Sequence, residues 1–97
     1  MAQGTHSYIQ DKRNENIIIY VNGEFFPRNE AKISGFDSGF LLGDGVWEGI
    51  RLQNGALCFI DEHIERLYHG AEKLKIEIGK SKDELIFLIY ETIQANT

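Results

Sequence analysis

The sequence contains one cysteine, one proline and one methionine, and no apolar run as long as a membrane-spanning helix. A lone Cys58 excludes an internal disulfide and suits a reducing compartment. Set in an apolar stretch, it reads as a small core residue rather than a nucleophile. Without about 20 consecutive apolar residues there is no hydrophobic span, so no membrane role is expected. The first residues, "MAQGTHSYIQDKRNEN", have neither an apolar centre nor a small-residue cleavage pattern, so no signal peptide is expected there. We therefore expect a flexible polar arm over residues 1–16 ahead of one domain over 17–97, in the cytoplasm. Positive charge is also scarce. Ten Lys and Arg face fifteen Asp and Glu, a net charge of −5 with no basic run, so the clustered cations that hold nucleic acid are missing. With 97 residues, 42% hydrophobic and 26% charged, the chain has the makeup of one small globular domain.

What the chain does contain is turn and cap chemistry. Asn22-Gly23 follows the β-branched and aromatic run Ile17 to Val21 and precedes Glu24-Phe25-Phe26. Asn-Gly between apolar runs predicts a two-residue hairpin, because a type I′ turn needs positive φ at both central positions. A second copy runs Val46 to Gln53, Asn54-Gly55, Ala56 to Ile60, and is expected to be the longer hairpin. Between them, Gly35, Gly39, Gly43 and Gly45 predict a shaped loop with one helical turn around Phe40 to Leu42. From Ile60 the period changes. Ile60, Ile64, Leu67, Ala71 and Leu74 recur at helical spacing, Asp61 favours the helix start, and Gly79 marks the break. Ser81-Lys-Asp-Glu84 is a capping box that makes the following "LIFLIY" helical rather than a buried strand. The order predicts an α+β fold, an antiparallel sheet with two helices on one face. The last helix is apolar on more than one side, which this small domain can hardly bury.

Several chemistries fail on spacing. A phosphate-binding P-loop needs Lys and Ser or Thr after its glycines, and Gly39 to Gly45 offers none. The dinucleotide pattern fails because Gly49 comes one residue late after Gly43 and Gly45. His63 and His69 are six apart and do not share a helix face as metal ligands do, so we expect them, with His6, to be solvated, and we expect no metal. Asp37, Asp44 and Glu48 match no calcium loop, and Ser34, Ser38 and Ser81 lack a nucleophile context. Two residues stay open. Arg66 flanks the apolar stripe of its helix; it pairs either with Glu62 at i−4 or with an anion lodged at the sheet edge. Trp47 is either a core aromatic or, among Gly43, Gly45 and Gly49, a pocket wall.

Taken together, Asn22-Gly23, Asp37-Ser-Gly39, Gly43-Asp-Gly45-Val-Trp-Glu48, Asn54-Gly55 and Glu62-His63-Ile-Glu-Arg66-Leu67 resemble the class IV, fold type IV, pyridoxal-phosphate aminotransferases. That family includes branched-chain aminotransferases, D-amino-acid aminotransferases and aminodeoxychorismate lyase. The likeness runs from about Ile18 to Ile78 and covers the N-terminal small domain of the D-amino-acid aminotransferase-like fold. It implies that Arg66 contacts the phosphate of pyridoxal 5'-phosphate, and that Leu42, Trp47, Glu48 and Gly49 line the substrate pocket. Leu42 departs from the aromatic residue found there in several branches, which leaves the substrate open. "EGIR", Glu48 to Arg51, is closer to the branched-chain branch.

The resemblance implies amino-group transfer between an aliphatic or branched-chain amino acid and a 2-oxo acid, by a homodimer. A D-amino-acid aminotransferase and aminodeoxychorismate lyase are the alternatives within the family. A non-catalytic domain that binds an anion or a partner is the alternative outside it. The family's cofactor-bearing lysine lies in a second, larger domain. Lys12, Lys32, Lys73, Lys75, Lys80 and Lys82 match no catalytic position, so this chain is expected to supply no catalytic residue and to be inactive by itself.

Overall fold

The computed structural model describes residues 11–97. Most of the polar arm expected over residues 1–16, including His6, lies outside the described residues. Its last part forms a 3-10 turn, Lys12–Asn14, capped by Asp11, whose carboxylate accepts from the Arg13 backbone at 2.9 Å.

The first hairpin joins β1 (Ile18–Val21) to β2 (Glu24–Pro27), with Ile19 opposite Phe26 and Tyr20 opposite Phe25. Asn22 and Gly23 take φ of 49° and 95°, the positive values the turn demands. Tyr20 and Phe25 meet edge to face, ring centroids 5.4 Å apart, a cross-strand pair that fixes this register. A 3-10 turn, Arg28–Glu30, follows Pro27 directly.

The helical turn expected near Phe40 is α1 (Ser38–Leu42). Asp37 caps its start by accepting from the Gly39 N–H at 2.8 Å, and Gly43, left-handed at φ 76°, ends it. Gly39 has no room for a side chain, since a Cβ there would stand 2.9 Å from Asp37 Oδ1 and 3.1 Å from the Asp44 carbonyl oxygen.

The second hairpin is shorter than its sequence suggests. Its ladder holds only β3 (Leu52–Gln53) and β4 (Ala56–Leu57), with Asn54 and Gly55 at φ 52° and 78°, plus one further bond from Cys58 N–H to the Arg51 carbonyl at 2.8 Å. The reason lies at Phe59, which adopts left-handed φ 54° and turns the chain straight into the next helix. No residues then remain to pair with 46–50, and the two hairpins stay separate two-stranded sheets rather than one.

Helix α2 (Ile60–Lys73) carries Asp61 and Glu62 in its first turn, where carboxylates oppose the positive end of the helix dipole. It ends earlier than Gly79. Lys75 turns left-handed at φ 58°, its N–H bonds to the Glu72 carbonyl at 3.1 Å, and Ile76 N–H reaches back to Ala71 at 2.8 Å. This is a Schellman closure built on lysine instead of glycine. Helix α3 (Lys82–Ala95) starts with the expected capping box: Glu84 N–H to Ser81 Oγ at 3.1 Å and Ser81 N–H to Glu84 Oε1 at 3.0 Å.

The helices are tied to each other by Tyr68 Oη donating to the Lys80 carbonyl at 2.7 Å and by a Lys82–Glu65 ion pair at 2.8 Å. Helix α3 also lies against β1, where Asn96 behaves like a peptide unit. Its Oδ1 accepts from Ile18 N–H at 2.7 Å, and its Nδ2 donates to the Ile18 carbonyl at 3.0 Å. Among the described residues only Leu57, Ile64 and Ala71 are buried apolar side chains. An open apolar groove, lined by Ile18, Tyr20, Leu57, Leu85 and Ile89 among others, runs between α3 and the hairpins. The α+β class holds, with a core too small to cover the apolar faces of its own helices. Among the described residues no helix is long and apolar enough to cross a membrane.

Candidate functional site

Residues 46–50 pair in no sheet; they pass along α2, with Val46 against Gly70, and alternate in burial as an extended chain does. Val46, Glu48 and Ile50 are half-buried, while Trp47 and Gly49 are exposed. An extended chain sends successive side chains to opposite faces. Glu48 therefore points away from Trp47 and Gly49, toward the helix. Trp47 is 82% exposed and so is not a core aromatic of this domain. Leu42, at the end of α1, is exposed as well.

Across from Glu48, His63 and Arg66 sit three residues apart on one face of α2. Arg66 Nε donates to Glu48 Oε2 at 2.9 Å and Nη2 to Oε1 at 2.7 Å, while His63 Nδ1 makes a short hydrogen bond to the same Oε1. The partner of Arg66 is thus Glu48, eighteen residues earlier, and not Glu62 one turn before it. The expectation that His63 is solvated fails for the same reason. Its side chain is only 20% exposed and is tied to Glu48. The signal available in the sequence was the three-residue spacing of His63 and Arg66; nothing local named their acceptor.

The carboxylate side chain is 9% exposed and has both oxygens engaged, so it is fixed in place. Arg66, then His63, hold the Glu48 carboxyl at about 2, down from the ordinary 4.5, and Glu48 in turn raises Arg66. An ionised carboxylate only accepts, so His63 carries its proton on Nδ1 in this contact. The arginine keeps its outer end open. Its side chain is 71% exposed, and Glu48 occupies only the Nε–Nη2 edge, leaving three of the five guanidinium N–H groups for another anion. Phe59, Glu62, His63 and Arg66 together line a shallow pocket at this point. Among the described residues no group of three or more His, Cys, Asp or Glu side chains is placed to hold a metal.

The depressed Glu48 value carries a stability consequence with a defined sign. Because the folded value is lowered, the interaction contributes fully above about 4.5 and is lost as the pH falls toward about 2. Glu48→Gln is expected to flatten this acid limb. Urea unfolding of both proteins at pH values spanning that window checks it, and identical limbs would show that the pair contributes nothing to folding.

A family model described as Amino-transferase class IV matches residues 45–97, a stretch that contains Glu48, His63 and Arg66. The chain is 47% identical over 78 residues to a protein of Methanocaldococcus jannaschii provisionally named a branched-chain-amino-acid aminotransferase, covering 80% of this chain and 27% of that protein. It is 38% identical over 78 residues to a D-alanine aminotransferase of Staphylococcus haemolyticus and 40% identical over the same length to one of Staphylococcus aureus, in each case covering 80% of this chain and 28% of the relative. The chain thus spans little more than a quarter of the length of these relatives. With more than half of its residues inside the family match, this chain belongs to the class IV aminotransferases.

Proposed function

We propose that this chain is the N-terminal part of a pyridoxal-phosphate-dependent aminotransferase that moves an amino group between an amino acid and a 2-oxo acid. On this reading residues 17–97 form the small domain of a two-domain enzyme that works in the cytoplasm as a homodimer. The observation that carries it is the open outer fork of Arg66, locked on its other edge by Glu48. Three free, exposed donors on a fixed guanidinium suit a dianionic phosphate, and the half-buried Glu48 carboxylate keeps the arginine from wandering. Pyridoxal phosphate, when bound, supplies the electron sink that makes the amino acid's α-proton removable.

The roles of this chain's own residues follow. Arg66 anchors the phosphate; Glu48 and His63 hold Arg66 in position. Trp47 and Leu42, both exposed, give the substrate side an apolar wall, with Gly49 beside Trp47 keeping the surface low. Glu48, which the resemblance puts in the pocket, reaches it from behind through Arg66. Phe36, Phe40 and Phe59 are also exposed, apolar surface of the kind that a second domain or subunit covers.

Aliphatic or branched-chain substrates suit an apolar wall, and the likeness to a branched-chain enzyme supports them. The D-alanine relatives support a second reading, a D-specific enzyme on the same frame. The test is an assay of the full-length protein with pyridoxal phosphate, 2-oxoglutarate, and paired L- and D-isomers of leucine, valine and alanine. Turnover of the L-branched amino acids supports the first reading and turnover of D-alanine the second. Cofactor binding without transfer from any of them would overturn amino transfer.

A further inference from the structure

Glycine at position 70 is an odd choice for the interior of α2, because alanine is the better helix former there. Its backbone is helical, so no left-handed conformation requires it. The reason lies across the interface. A Cβ on Gly70 would meet Val46 Cγ1 at 3.2 Å and Val46 Cβ at 4.0 Å, so Val46 rests directly on the helix backbone. Val46 and Glu48 share the inward face of their segment, while Gly70 and Arg66 lie one turn apart on α2. Two residues of extended chain advance about 6.6 Å, and four residues of helix about 6 Å. The two rises nearly match. Seating Val46 on Gly70 therefore brings the Glu48 carboxylate level with Arg66, where both of its oxygens are used at 2.9 and 2.7 Å.

We propose that Gly70 is a positioning residue for the anion site: its missing side chain sets the height of the 46–48 segment on α2, and through Val46 it sets the grip of Glu48 on Arg66. A methyl group at 70 would lift Val46 by a few tenths of an ångström. That is enough to loosen a two-point hydrogen-bonded pair, whose strength falls with distance and angle. The part of this inference that concerns phosphate rests on the cofactor reading above; the part that concerns the Glu48–Arg66 pair does not.

The experiment uses the full-length protein as wild type, Gly70→Ala, and Gly70→Ala combined with Val46→Ala, which removes the methyl groups that collide. The first readout, without cofactor, is the exchange protection of the Arg66 Nε–H cross-peak in a nitrogen–proton spectrum. It should be lost in Gly70→Ala and recovered in the double variant. The second is the dissociation constant for pyridoxal phosphate, which should rise about three- to tenfold and then recover. Loss of protection rescued by Val46→Ala supports the proposal even if the cofactor does not bind, which would count only against the cofactor reading. An unchanged cross-peak in Gly70→Ala overturns it, as does a loss that Val46→Ala fails to repair.

Discussion

Arg66→Ala in the full-length protein should weaken retention of pyridoxal phosphate by about ten- to a hundredfold. A charge-assisted hydrogen bond contributes about 1.5–3 kcal/mol, and each decade of affinity corresponds to about 1.4 kcal/mol. On the proposed reading, one or two of the three donors left after Glu48 is served bond the phosphate. The geometry also adds a term that a lone surface arginine would lack. Once Arg66 is gone, Glu48 keeps its charge without its main counter-ion and faces the incoming anion directly. Arg66→Lys should restore part of the affinity, because an ammonium neutralises charge but cannot hold both Glu48 oxygens and a phosphate in one plane. Titration of the three proteins by cofactor absorbance separates these outcomes. Equal affinities would confine Arg66 to its contact with Glu48.

Ile64→Ala should be the most destabilising single truncation in the domain. Ile64 is 2% exposed and shares the buried core only with Leu57 and Ala71 among the described residues. Removing a buried isoleucine down to alanine typically costs 2–5 kcal/mol, through lost transfer energy and the cavity left behind. That is a large part of the roughly 5–15 kcal/mol that holds a whole domain together. Ile64→Val, which keeps most of the volume, should cost about 0.5–1.5 kcal/mol. The effect reaches the site because Ile64 sits between His63 and Arg66 on α2. Urea unfolding monitored by circular dichroism tests both variants. A loss below about 1 kcal/mol for Ile64→Ala would mean that α2 is not held by this core.

The parts of this fold that were legible in advance are those in which a few neighbouring residues settle the backbone. Asn22-Gly23 and Asn54-Gly55 announce positive φ, and Ser81 with Glu84 announces a helix start; all adopt the expected geometry. The parts that were not legible depend on contacts distant in sequence or on an unusual residue in a common role. Helix α2 stops at Lys73, a few residues ahead of the break at Gly79, because a lysine, Lys75, takes the left-handed position where glycine is the usual signal. The second hairpin is shorter than its residues suggest because Phe59 adopts a left-handed conformation that its side chain disfavours. In the site, the helical period placed Arg66 beside the core but offered Glu62 as its local partner. Its partner, Glu48, is decided by where the unpaired segment 46–50 rests on α2, which we have proposed to depend on the space above Gly70.

The clasp of Asn96 on Ile18 has a consequence for how the chain is made. The two residues are 78 positions apart, so during synthesis the outer edge of β1 appears long before the side chain that closes it. At about 5–20 residues per second, that edge stays open for roughly 3–14 s after the first hairpin, which ends at Pro27, has been made. An unpaired strand edge is a template for other chains during that time. The brevity of β1, four residues ended at once by a tight turn, limits what a neighbouring nascent chain can grasp until α3 arrives and its last turn shuts the edge.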